Sequence, residues 1–158
     1  MLHKLFHTRS GLLNLLCAIL MIALLVCQFS PFWQYGEPDS QTAVSINGYI
    51  WFPTDNAALT KQLQSIDPDH EVDGILAMPL LHLLLCVAGI ILCLFKPDTA
   101  AAPLFPLAAG LVGIWGYLAK PVFQAGMGWQ LHLALCVLMA LAGAAALAAA
   151  VAEMRRAE

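Results

Sequence analysis

Two short stretches fifty residues apart hold the groups best suited to chemistry. Leu81-His82-Leu83-Leu84-Leu85-Cys86-Val87 and Leu131-His132-Leu133-Ala134-Leu135-Cys136-Val137 are identical at six of seven positions. In each, a cysteine follows a histidine by four residues, which on a helix puts both on one face. Imidazole and thiolate are ligands for zinc and copper. If the two helices face each other, His82, Cys86, His132 and Cys136 can form a His2Cys2 cluster. Two histidines at one level could alternatively ligate a haem iron. The plainer reading gives each histidine a hydrogen bond to a backbone carbonyl or a neighbouring helix. It makes the cysteines small apolar packing groups, and the chain then needs no cofactor. On either reading the rings must turn inward, because an imidazole in hydrocarbon has no hydrogen-bond partner.

The elements that must position these residues are apolar. Four stretches carry no Asp, Glu, Lys or Arg: 11–29, 75–95, 100–119 and 126–152. Each approaches the ~20 residues with which a helix crosses the ~30 Å hydrocarbon core of a bilayer. The 158-residue chain is 61% hydrophobic and 11% charged, with a mean hydropathy of +0.78, against about 25% charged residues in a soluble domain. Four such helices leave too little polar surface for a soluble protein. The sequence therefore predicts an all-α membrane protein, a four-transmembrane-helix bundle with spans at 11–29, 75–95, 100–119 and 128–152.

Charge sets the expected orientation. Lys4 and Arg9 precede the first span, Lys96 follows the second, and Arg155 and Arg156 follow the fourth. Lys and Arg mark the cytoplasmic side. This places 1–10, the turn 96–99 and the tail 153–158 in the cytoplasm of a cell whose plasma membrane holds the protein. Residues 30–74 and 120–127 then lie outside, where only Lys61 and Lys120 depart from the rule. The first span has a basic start, but its apolar run is long and no small-x-small cleavage site follows, so it reads as a retained anchor.

The outer loop, 30–74, is acidic and has no cysteine to staple it. It opens with Pro31-Phe32-Trp33-Gln34-Tyr35, aromatics suited to the headgroup interface. Gln41–Ile46 and Tyr49–Pro53 flank Asn47-Gly48, a strong short-range hairpin signal because both turn residues accept positive φ. Thr54-Asp55-Asn56 then offers a cap for an amphipathic helix over Ala57–Ile66, which Asp67-Pro68 ends. The expected outer cap is thus a β-hairpin plus a short helix. The acidic run Asp67–Asp73 lacks calcium-loop spacing and reads as a solvated linker.

Within the third span, Gly110, Gly113 and Gly116 recur every three residues and let another helix approach closely. Pro31–Gly36 also echoes Pro121–Gly126, ninety residues on. Together with the His-x-x-x-Cys echo, this suggests two parallel hairpins, the first enlarged by about 40 residues.

This layout, with Trp33 followed by Gly48-Tyr49-Ile50-Trp51, resembles the claudin-like tetraspan family, whose first outer loop carries a Trp and then Gly-Leu-Trp. The resemblance implies a barrier-forming, strand-polymerising protein. That family's two loop cysteines have no counterpart here. Trp33 packing on Trp51 is the expected substitute, with Tyr49 beside them as part of a loop packing and interaction surface.

No nucleophile elbow, phosphate loop, paired carboxylates or metalloprotease motif occurs. The spans hold no charge with which to drive ion coupling. The sequence thus predicts a non-enzymatic multi-pass membrane protein with a structural or interaction role. Its expected partners are the bilayer and, through the outer loop, another protein or a second copy, and not nucleic acid. The alternative is a small metal- or haem-binding membrane bundle built on His82 and His132.

Overall fold

The computed structural model describes residues 8–35, 44–47, 77–97, 99, 101–118, 124–125 and 127–157. They form four helices, α1 (Arg9–Cys27), α2 (Ala77–Phe95), α3 (Leu104–Leu118) and α4 (Met127–Ala157), with three short strands, β1 (Pro31–Tyr35), β2 (Val44–Asn47) and β3 (Gln124–Ala125). Each helix packs on the next, and α4 closes back on α1, so the four form a ring. α2 and α4 sit on one diagonal of that ring.

The ends of α1 follow from local chemistry. Thr8 caps its start, its side-chain oxygen accepting from the Gly11 amide at 3.0 Å. At its finish, the Gln28 backbone amide donates to the Leu25 carbonyl, the Phe29 amide to the Val26 carbonyl, and the Ser30 hydroxyl to the Cys27 carbonyl at 2.6 Å. These bonds satisfy carbonyls that a helix end leaves open. α3 begins late because residues 101–103 form a turn. Within it, Ala102 donates to the Thr99 carbonyl and Leu104 to the Ala101 carbonyl. Pro103 and Pro106 are fully buried at this entry, where a missing amide proton costs least.

Two parts of the expected fold are corrected. The first is the β-hairpin turning at Asn47-Gly48, which is not shown. β2 pairs instead with β1, antiparallel, with Tyr35 opposite Val44 and Trp33 opposite Ile46. The Asn-Gly signal is local and carries no information about which strand lies beside β2. The partner is the aromatic segment that leaves α1 directly. Gly48, Tyr49, Trp51, the expected Trp33–Trp51 packing and the expected helix over 57–66 all lie outside the described residues. The second correction concerns the spans. Among the described residues, two helices are by length and composition long and apolar enough to cross a membrane, Arg9–Cys27 and Gln130–Arg156. The comparable stretches of α2 and α3, Leu81–Phe95 and Leu104–Trp115, are shorter. The turn at 101–103 takes the first residues expected for the third span.

β1 also pairs antiparallel with β3, giving a sheet of order β2-β1-β3 that ties the α1–α2 connection to the short α3–α4 connection. Gln34 lies opposite Gln124 in this ladder. These two residues are counterparts in the Pro31–Gly36 and Pro121–Gly126 echo, so the echoed segments meet at one of their three shared residues.

Small residues set the helix spacing. A Cβ on Gly110 would lie 2.7 Å from the Ala140 amide nitrogen and 2.8 Å from the Cys136 carbonyl oxygen. A Cβ on Gly143 would lie 2.7 Å from the Leu107 nitrogen. The α3–α4 seam is therefore a backbone-to-backbone approach that a side chain would prevent. Gly116 lies on α3, but its surroundings are outside the described residues.

Candidate metal centre

The buried face of α2 carries His82, Cys86, Gly89 and Cys93, and that of α4 carries His132, Cys136, Met139 and Gly143. These are equivalent positions of the repeat. The intervening Leu81, Leu84, Val87 and Ile91, like Leu131, Val137 and Leu141, face outward. A period of three to four residues thus turns both His-x-x-x-Cys pairs toward the centre of the ring.

The rings meet there. His82 and His132 are 4% and 5% exposed, with ring centroids 5.0 Å apart and ring planes at 63°, an edge-to-face contact. Potential ligand atoms of His82, His132 and Cys136 all lie within 4.8 Å of one another. Cys86 Sγ is 3.8 Å from His82 Nε2, at the edge of this trio. Gly113, on the intervening α3, completes the wall. A Cβ there would collide with Cys136 Sγ and fall 3.1 Å from His82 Cε1.

The two histidines differ in their support. The Gln28 side chain, 2% exposed, reaches in from the end of α1. Its Nε2 lies 3.1 Å from His132 Nδ1 and donates to the Leu24 carbonyl at 3.2 Å. His82 Nδ1, by contrast, is buried with no hydrogen-bond partner. The Ala109 backbone lies beside the His82 ring. A buried, unpaired imidazole nitrogen costs roughly 1–3 kcal/mol. Cys27 Sγ donates to the Gly128 carbonyl at 3.4 Å, fastening α1 to the start of α4 beside the cluster.

Sequence reasoning identified three members of the close trio and Cys86 beside it, and it missed Gln28. The available signal was a lone amide at the end of a charge-free stretch. Gly113 was expected as a packing residue, and here it also lines the cluster. Trp33 lies on β1, away from these residues in the chain, and its side-chain surroundings are outside the described residues.

Donor chemistry and space favour an ion over a macrocycle. Tetrahedral ligands at zinc's ~2.0–2.3 Å bond lengths stand about 3.3–3.8 Å apart. Small side-chain rotations therefore close the trio around an ion. A haem held between two axial histidines needs their rings far enough apart for a porphyrin plane to pass between them, and the His82 and His132 rings stand in edge-to-face contact. Comparison with protein-family models, curated proteins and solved structures finds no match for this chain.

Proposed function

We propose that this chain is a multi-pass protein of the cell membrane with a structural or interaction role. In this reading α1 and α4 cross the bilayer, and both termini lie on the cytoplasmic side. The observation that carries this reading is the inverted distribution of polarity. Each helix turns large apolar side chains outward: Ile19 and Val26 on α1, Leu84 and Ile91 on α2, Leu111 and Trp115 on α3, Leu138 and Leu141 on α4. Asn14, His82 and His132 turn inward, while the exposed polar residues Arg9, Gln130, Arg155 and Arg156 lie near helix ends. In water such a surface would be a large exposed apolar patch. In lipid it is the required arrangement, since hydrocarbon offers polar groups no partner.

The distribution of charge supports the orientation. The Ser10 hydroxyl donates to the Glu153 carboxylate at 2.5 Å, bringing the start of α1 to the end of α4. Asn14 Nδ2 donates to the Pro97 carbonyl at 3.0 Å, bringing the α2–α3 turn to the same end. Arg9, Lys96, Arg155 and Arg156 therefore gather at one end of the bundle, as the positive-inside rule requires of the cytoplasmic face.

Reporter fusions test the reading. A cytoplasm-dependent reporter should be active after residue 98 and after residue 158, and an exported reporter should be active after residue 40. Release of the protein by alkaline carbonate without detergent, or an active exported reporter at residue 98, would contradict it.

A further inference from the structure

The geometry points to a binding site for one thiophilic d10 metal ion, zinc(II) or copper(I), held by His82, His132 and Cys136 with Cys86 as a fourth ligand. Three independent observations meet here. The three potential ligand atoms lie within 4.8 Å of one another. His82, 4% exposed, has a ring nitrogen without a partner. The repeat brings equivalent His-x-x-x-Cys pairs to one diagonal, and a twofold arrangement of that kind is suited to presenting two ligands from each side. A hydrogen-bonded structural role accounts for His132 through Gln28, while His82 has the Ala109 backbone and the Cys86 thiol beside its ring and no hydrogen bond at Nδ1.

Charge narrows the choice of ion. In a low-dielectric core a site should be close to neutral. Two imidazoles and one thiolate neutralise copper(I), while two imidazoles and two thiolates neutralise zinc(II). Both ions accept this mixture of donors. As each sulfur–metal bond forms, the thiol releases its proton to solvent, one for copper(I) and two for zinc(II). Neither ion changes oxidation state. Ligation by His132 through Nε2 requires its remaining proton on Nδ1. The Gln28 amide then turns over, giving up its Nε2 bond to the Leu24 carbonyl, and its Oε1 accepts a hydrogen bond from that Nδ1–H. Gln28 is thus a positioning residue, fixing the tautomer as carboxylates and amides do around other metal-bound histidines.

The test uses the full chain in detergent, stripped with a chelator and kept under a phosphine reductant. Zinc(II) or anaerobic copper(I) is added at one equivalent and challenged with a competing chelator. One ion should be retained per chain and should raise the thermal midpoint. Cys136→Ser should lower affinity more than ~100-fold, and Gln28→Leu about 10–100-fold, as loss of an outer-shell partner does. Cys86→Ser separates the ions: it should weaken zinc(II) strongly and copper(I) little. Cobalt(II) added to the unmodified protein provides a check that needs no variant. A thiolate-to-cobalt absorption band, lost on adding zinc, is expected. Failure to retain either metal, absence of that band, or wild-type retention by a folded Cys136→Ser protein would overturn the site.

Discussion

α2 and α4 present the same face in different surroundings. At the level of the histidines, His132 is held by Gln28 from α1, while His82 has an unpaired nitrogen. One turn further, Cys136 lies under Gly113 of α3, and Cys86 stands beside its own histidine. At the next equivalent position α2 has Gly89 and α4 has Met139, both buried. The difference teaches that the repeated motif sets what points inward, and the neighbouring helix decides how well it is satisfied. Gly89 receives the flexible end of Met21 from α1, with a would-be Cβ 2.6 Å from its sulfur. Gly110 and Gly143 instead admit backbone.

That contrast gives the largest expected effect. Gly110→Leu should destabilise the bundle by about 3 kcal/mol or more, because the Ala140 backbone cannot give way. Gly89→Ala should cost about 1 kcal/mol or less, since the Met21 thioether can rotate and alanine favours the helix. Reversible unfolding in mixed detergent measures both. Equal costs would show that the two seams are packed alike.

The histidines come next. His132→Leu removes the ring that Gln28 contacts and should cost about 1 kcal/mol in metal-free protein. His82→Leu removes an unpaired nitrogen and should be close to neutral or stabilising. Thermal midpoints in chelator would reveal the order, and a reversed order would break the asymmetry drawn here.

The inner end supplies the smallest pair of effects. Asn14→Leu should cost roughly 1 kcal/mol, because its bond to the Pro97 carbonyl is buried. Ser10→Ala should cost less, about 0.5 kcal/mol, because its partner Glu153 lies partly in solvent.

Much of this arrangement is legible in the sequence. The i, i+4 spacing of histidine and cysteine gives the inward face, and the recurrence fifty residues on gives its partner. Gly110 and Gly113 mark the close seam. What is not legible is non-local. No local pattern says that β2 pairs with β1, because a turn signal constrains only its neighbours. Nor does any pattern place the Gln28 amide on His132, or Asn14 on a turn eighty residues away. Those pairings are fixed by how the ring of helices closes.

The central claim is that the two motifs meet side chain to side chain across the bundle. A double-mutant cycle on His82→Leu and His132→Leu, read as unfolding free energy in detergent and chelator, tests it most directly. The rings are 5.0 Å apart, and residues in contact couple by roughly 0.5–3 kcal/mol. We predict a coupling of about 1 kcal/mol. Effects that add to within ~0.3 kcal/mol would mean that the two histidines do not touch, and the shared site would be contradicted.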